Sequence, residues 1–231
     1  MPAHPSTRPA AWSLPQIALL LANLVPVFGA LYLDWDVSSI IVLYWAENLI
    51  IGGFTLLKML VTGKAGALFR MLFFCVHYGG FCAIHGIFVL ELTRFAGEHF
   101  TAAAAASWPG PLALLQRFIG MLEQVLAAAP EAFLWGCLAL LLSHATSFLL
   151  LFIGQQEYRH TTVNELMKAP YQRIVVMHIA VIAGGFLVVR LGSPLGLLFA
   201  LVALKTGMDI MLHNRSHRRS AVGDSAAAGN D

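Results

Sequence analysis

The sequence predicts an all-α fold, an integral membrane bundle of about six transmembrane helices with its N-terminus and C-terminus in the cytoplasm. Hydrophobic residues make up 58% of the chain and charged residues only 11%, whereas about a quarter of the residues in a soluble domain are charged. The mean hydropathy is +0.75. The apolar residues form continuous runs of the length that crosses a bilayer as a helix, about 20 residues. A membrane barrel would show alternation instead.

The six predicted spans follow one another with short polar breaks. They lie near residues 14–33, 38–60, 69–92, 131–153, 172–190 and 194–213. The first run is longer than the apolar region of a signal peptide and another long run follows at once, so we interpret it as a retained helix. Residues 1–13 are predicted to form a cytoplasmic N-terminal segment and residues 215–231 a disordered cytoplasmic tail, which leaves residues 14–214 as the transmembrane domain.

Basic residues predict the orientation, because cytoplasmic loops of membrane proteins carry an excess of Lys and Arg. In a six-helix arrangement the predicted outer side carries only Arg94, Arg117 and Arg190. The predicted cytoplasmic side carries Arg8, Lys58, Lys64, Arg70, Arg159, Lys168, Arg173, Arg215, Arg218 and Arg219. This bias predicts a multi-pass protein of the cell membrane with both ends inside.

The segment from Leu112 to Ala129 is apolar enough to suggest a seventh span. Its polar residues recur at helical spacing and form a stripe, and two of them would carry charge into lipid. We therefore predict an amphipathic helix lying on the outer surface. A seventh span would also reverse the charge bias of the loops that follow it.

Charge and cysteine content exclude other classes of protein and of partner. The formal charge is +2 and the basic residues are scattered between apolar runs, so the lipid bilayer is the predicted partner and nucleic acid is excluded. The three cysteines lie inside apolar runs, and their odd number does not suit a disulfide framework. They are interpreted as packing residues.

Polar side chains inside the predicted spans are the candidate functional residues, because a charged group at the centre of a membrane helix costs about 2.5 to 3.5 kcal/mol on insertion scales. Distance along each helix predicts two layers. Glu47 and His85 come out near 20 Å from the cytoplasmic boundary, at a rise of about 1.5 Å per residue. A shallower layer, about 7 to 15 Å deep, would hold His77, His144, His178, Lys205 and Asp209.

The leading hypothesis is a metal or haem site, since imidazole is the commonest metal ligand and three histidines with a carboxylate suit zinc, iron, copper or nickel. The inner site would comprise His77, His144, His178 and Asp209, with His85 and His213 as further candidate ligands. Glu47 and Asp209 are the candidate catalytic carboxylates, acting on protons. The enzyme would be an oxidoreductase or a hydrolase. The sequence contains neither His-Glu-x-x-His nor paired Cys-x-x-Cys.

Two other hypotheses remain open. In the first, Glu47, His85, Lys205 and Asp209 form the relay of a proton-coupled secondary transporter, although no inverted repeat is visible. In the second, the protein has a structural or assembly role without catalysis, and its polar groups only join helices. Lys205 would then pair with Asp209, and Glu47 with His85.

Several short motifs resemble a known family. They are Tyr44-Trp45-Ala46-Glu47-Asn48, His77-Tyr78-Gly79-Gly80-Phe81, His85-Gly86, Ser143-His144 with Ser147-Phe148, Pro170-Tyr171 with Arg173, Met177-His178, and Lys205-Thr206 with Asp209 and His213. Together they resemble bacterial membrane proteins grouped as domain of unknown function 6498, over almost the whole chain from Leu14 to His217. The resemblance implies a bacterial polytopic membrane protein and implies no activity, substrate or cofactor.

Overall fold

The described part of the chain is helical. The computed structural model describes residues 24, 26–97, 107–110 and 112–207, and no β-strand occurs among them, so the predicted all-α class is confirmed. Helical residues at 26–32 precede seven helices. These are α1 (Val37–Gly63), α2 (Leu68–Thr93), α3 (Leu112–Ala128), α4 (Glu131–Ser147), α5 (Val163–Lys168), α6 (Tyr171–Leu191) and α7 (Leu195–Gly207).

Four helices among the described residues are long and apolar enough to cross a membrane. They are Val37–Gly63, Leu68–Thr93, Glu131–Gly154 and Val163–Leu191. Most of the first predicted span and residues 208–213 of the last lie outside the described residues, as do the N-terminal segment and the C-terminal tail. The described part of the last predicted span is the shorter apolar helix α7.

Local signals explain where the helices begin and end. Asp36 caps α1, its carboxylate accepting from the backbone N–H of Ser38 at 3.2 Å and of Ser39 at 2.8 Å, which satisfies amides that have no partner inside the helix. Helix α4 continues through a π-helical segment, Phe148–Gly154. Helix α6 ends at Gly192, whose φ of 65° is the left-handed conformation that glycine adopts without strain.

The fourth candidate span is a broken helix. Helix α5 begins with a reciprocal cap, in which the Thr162 hydroxyl accepts from the Glu165 N–H and the Glu165 carboxylate accepts from the Thr162 N–H. Pro170 then starts α6, because a proline lacks the N–H that a continuing helix needs. The predicted range 172–190 thus corresponds to α6, which contains Arg173, and α5 precedes it.

Helix α1 lies at the centre of the bundle and packs against α2, α4, α5 and α6. Two buried clusters flank it. One surrounds Ile41 and Trp45 and includes residues of α2, α3, α4, α6 and α7. The other surrounds Met59, Phe74 and Tyr78. Helix α3 buries only Met121 and Val125 among its residues, as a one-sided amphipathic helix should. Its position relative to a membrane stays a prediction.

The outward surface is strongly apolar. Among the residues that are more than 60% exposed are Phe69, Val76, Ile182, Phe186 and Val189. Soluble proteins rarely expose large contiguous apolar patches. These surfaces suit contact with lipid and suggest a membrane protein.

Two glycines allow α6 and α7 to approach at backbone distance. A Cβ built on Gly184 would lie 2.7 Å from the backbone Cα of Leu197, and one built on Gly196 would lie 2.5 Å from the Cβ of Leu187. Real Cβ atoms do not approach other heavy atoms this closely, so both positions require the smallest residue.

Candidate functional site

A carboxylate on α1 joins three helices. The Glu47 carboxylate is paired with the Arg173 guanidinium of α6 at 2.5 Å, and its other oxygen lies 3.8 Å from Nε2 of His144 on α4. The Glu47 side chain is 13% exposed and the Arg173 side chain 32%. A charge-assisted bond of this kind is among the strongest polar contacts in proteins. Glu47 and Arg173 form what we term the charged centre.

A small crevice adjoins the charged centre between α1, α6 and α7. It has a volume of about 40 Å³, enough for a few water molecules at roughly 10 to 15 Å³ each. Arg173 and Lys205 both line the crevice. The ammonium group of Lys205 lies 4.7 Å from the centre of the Tyr44 ring. The complete lining is Tyr44, Asn48, Arg173, Val176, Met177, Leu201 and Lys205.

The side-chain oxygen of Asn48 is a hydrogen-bond acceptor that has no donor in the described structure. Its side-chain Nδ2 donates to the carbonyl of Tyr44 at 2.8 Å, and the Tyr78 hydroxyl donates to its backbone carbonyl at 3.0 Å. The residue is only 5% exposed. Its side-chain oxygen is buried and has no hydrogen-bond partner within the described structure. A buried acceptor of this kind costs free energy unless a water or a ligand donates to it.

Two histidines form a hydrogen-bonded pair between α2 and α6. Nε2 of His85 lies 3.0 Å from Nδ1 of His178. Nδ1 of His85 lies 2.6 Å from the carbonyl oxygen of Phe81, and because a carbonyl only accepts, that nitrogen carries a proton. His85 is buried and His178 is exposed. An apolar groove of about 310 Å³ opens beside the pair.

The third histidine of the predicted inner site lies in an aromatic setting. Nδ1 of His77 is 2.7 Å from the Tyr171 hydroxyl, and its ring stacks on Phe73 with centroids 5.2 Å apart. His77 is exposed. It bridges α2 to the first turn of α6 and makes none of the contacts of the other two histidines.

Of the predicted metal ligands that the structure describes, it brings together only His85 and His178, as the hydrogen-bonded pair. His77, His144 and His178 have three different partners, and no group of three or more His, Cys, Asp or Glu residues in the described ranges is placed to hold a metal ion. Asp209 and His213 lie outside the described residues. The predicted layers also differ from the groups that form, since Glu47 lies beside His144 and His85 beside His178.

The chain matches "Family of unknown function (DUF6498)" over residues 5–225. It belongs to that family. The resemblance found in the sequence motifs is therefore confirmed. No curated protein and no solved structure matches the chain. In this DUF6498 chain the charged centre and the histidine pair are built from residues of the quoted motifs, as are five of the seven residues that line the crevice.

Arg173 of this DUF6498 chain was predicted to be a cytoplasmic loop charge and not a site residue. The pairing expected between Glu47 and His85 is not the one observed, because Arg173 occupies the Glu47 carboxylate. The signal was present in the sequence. Arg173 lies within the predicted span 172–190, and a charged residue inside a membrane helix is a candidate functional residue.

Proposed function

We propose that the protein is a multi-pass membrane carrier that moves a small anion together with a proton through the charged centre. The supporting observation is the Glu47–Arg173 pair beside a crevice that Lys205 also lines. Ionisable groups within membrane helices are costly and rare, and they commonly belong to ion or proton pathways. The proposal keeps the predicted six spans and cytoplasmic termini.

The charges favour an anionic solute. Among the described residues that line or adjoin the crevice, Arg173 and Lys205 are cationic and Glu47 is anionic. One positive charge is therefore in excess within this set. Guanidinium groups bind carboxylates and phosphates in bidentate geometry. The unpartnered Asn48 oxygen would accept from a hydroxyl group or from a water molecule that accompanies the anion.

The same contacts provide a coupling mechanism. While Glu47 is ionised it occupies the Arg173 guanidinium. A proton arriving on Glu47 removes that negative charge, and Arg173 can then bind a solute anion in its place. The proton and the anion thus enter the centre together and leave together, and the net charge of the centre stays constant.

This mechanism uses a different set of residues from the proton relay that the sequence predicts. Glu47 and Lys205 keep their places in it and Arg173 joins them. His85 is hydrogen-bonded to Phe81 and His178 instead, and Asp209 lies outside the described residues. A metal would need ligands that converge on one point. The metalloenzyme hypothesis stays a prediction, and elemental analysis of the purified protein tests it.

Flux measurements on proteoliposomes test the carrier proposal. Purified full-length protein is reconstituted, and uptake of phosphate, acetate and lactate is measured with and without an inward proton gradient. We expect the gradient to drive uptake of at least one of them. Glu47→Gln replaces the carboxylate with an amide that is always neutral, so residual uptake should no longer respond to the gradient.

Glu91→Gln is the matched control, because it makes the same chemical change at an exposed carboxylate near the end of α2. Flux is normalised to the folded fraction of each variant. Absence of flux for every anion refutes the proposal. Gradient-driven uptake that is unchanged in Glu47→Gln refutes the coupling mechanism. A variant that only loses stability supports the structural role instead.

A further inference from the structure

The histidine pair stands at one end of an apolar groove between α2 and α6. Ten described residues line this groove, and apart from His85 and His178 they are Ile84, Phe88, Leu92, Val181, Ile182, Gly185, Phe186 and Val189. None of the ten is Lys, Arg, Asp or Glu. Its volume of about 310 Å³ falls at the lower end of the range of small-molecule pockets, about 300 to 1,000 Å³.

The exposed imidazole of His178 has an unused nitrogen. Its Nδ1 contacts His85, and within the described residues its Nε2 has no hydrogen-bond partner. In a soluble protein water would serve this nitrogen. In a membrane helix surrounded by Ile182 and Phe186, water is excluded and an unsatisfied polar atom is costly. A ligand that brings its own hydrogen-bonding group would remove that cost.

The hydrogen bonds of the histidine pair determine whether Nε2 of His178 accepts or donates. The Phe81 carbonyl fixes the proton on Nδ1 of His85, so in the neutral pair Nε2 of His85 accepts from Nδ1 of His178. Nε2 of His178 is then an acceptor, suited to a hydroxyl group. If the pair holds one more proton, Nε2 of His178 can carry it while Nδ1 of His178 still donates to His85, and the same nitrogen becomes a donor, suited to a carbonyl.

We propose that this groove binds the ring of a lipid-soluble quinone or its quinol, with Nε2 of His178 as the hydrogen-bond partner. A quinol presents hydroxyl groups and a quinone presents carbonyl groups, which match the two forms of the pair. The side chains of Phe88 and Phe186 offer aromatic faces for the ring. The hydrocarbon tail would leave between the exposed side chains of Ile182 and Val189 toward the acyl chains.

A phospholipid head group does not suit the same groove. Its phosphate needs a cationic partner, and the ten lining residues provide no Lys or Arg. The depth of the groove also disfavours a phospholipid head group. His85 lies eight residues before the end of α2 at Thr93, a height of about 12 Å at 1.5 Å per residue. A phosphate at that depth would leave the interfacial region, whereas a quinone ring is uncharged and enters the hydrocarbon core.

Photolabelling in lipid nanodiscs tests the proposal. Full-length protein in phosphatidylcholine nanodiscs is irradiated with an azido-quinone, and the labelled peptides are mapped with and without excess unlabelled decyl-ubiquinone. We expect label on α2 and α6 that the unlabelled quinone displaces. His178→Ala should weaken quinone binding about threefold to tenfold, the effect of losing one hydrogen bond.

A steric variant keeps the test independent of the imidazole. A Cβ at Gly185 would lie 3.4 Å from Leu92 at the groove wall, so Gly185→Leu should fill the groove and abolish displaceable labelling. Gly80→Leu is the matched control, since a Cβ there meets nothing within 4 Å, and His160→Ala controls for loss of an exposed imidazole.

Three outcomes would overturn the quinone site. They are label outside α2 and α6, label that added phospholipid displaces as well as quinone does, and unchanged labelling in Gly185→Leu. The site is separate from the charged centre, so loss of anion flux with intact quinone labelling, or the reverse, would refute one proposal and leave the other supported.

Discussion

Removing the charge of Glu47 should destabilise the protein through Arg173. A pair on a fully exposed surface contributes about 0 to 1 kcal/mol, and loss of one partner from a fully buried pair costs about 3 to 5 kcal/mol. With side chains 13% and 32% exposed, the Glu47–Arg173 pair lies between these limits. We therefore expect Glu47→Gln to lower the free energy of unfolding by about 2 to 3 kcal/mol.

A double-mutant cycle isolates the interaction. Arg173→Gln alone should also destabilise, because it leaves the carboxylate uncompensated. The double variant should lose less than the sum of the two single variants, by about 1 to 2 kcal/mol, since neither remaining side chain is then charged. The assay is reversible unfolding in mixed detergent micelles, followed by tryptophan fluorescence and by helical circular dichroism.

One result of the double-mutant cycle would refute the predicted coupling. If the two single effects add within about 0.5 kcal/mol, the residues are not coupled, and the pairing cannot be the contact that holds α1 to α6. Glu131→Gln is the control, because within the described part of the chain its exposed carboxylate accepts a side-chain hydrogen bond only from the Trp135 indole, at 3.1 Å. It should change stability by less than about 0.5 kcal/mol.

Three further substitutions probe packing and capping in the same unfolding assay. Gly86→Ala would place a methyl group 2.6 Å from the Trp45 ring and should cost about 1 to 3 kcal/mol through overpacking. Gly184→Ala would meet the backbone Cα of Leu197 at 2.7 Å, which no side-chain rotation relieves, so we expect about 3 kcal/mol or more. Asp36→Ala removes the cap of α1 and should cost about 1 kcal/mol.

Open glycines provide the controls for these substitutions. A Cβ at Gly53 or Gly79 meets nothing within 4 Å, so alanine there should be neutral or stabilising by up to about 1 kcal/mol, the helix preference of alanine over glycine. Equal losses at all four glycines would contradict the packing explanation. A capping loss that persists in Asp36→Asn, whose side chain also caps, would contradict the explanation for α1.

The helices were predictable because each one is a long apolar run ended by polar residues. The predicted ranges 38–60, 69–92 and 131–153 fall within Val37–Gly63, Leu68–Thr93 and Glu131–Gly154. The predicted range 172–190 likewise falls within Tyr171–Leu191. The short capped helix before it, α5, packs against α1 and α2 and was not predicted.

The candidate residues were predictable because ionisable groups stand out in an apolar helix, but their partners were not. Sequence distance gives the height of a residue along its own helix. It gives neither the rotation of that helix about its axis nor its tilt and vertical offset relative to its neighbours. Glu47 therefore has Arg173 and His144 beside it, while His85, the residue predicted at its height, lies with His178.

The close contact at Gly184 and Gly196 has a mechanical consequence. Because the helices meet without clearance there, we expect α6 and α7 to move as one body, so that the two cations they carry, Arg173 and Lys205, keep a constant spacing. An opening of the crevice must then displace α1 from that body. The ion pair between Glu47 and Arg173 joins α1 to that body, so in the proposed carrier protonation of Glu47 would control whether α1 separates from α6 and α7.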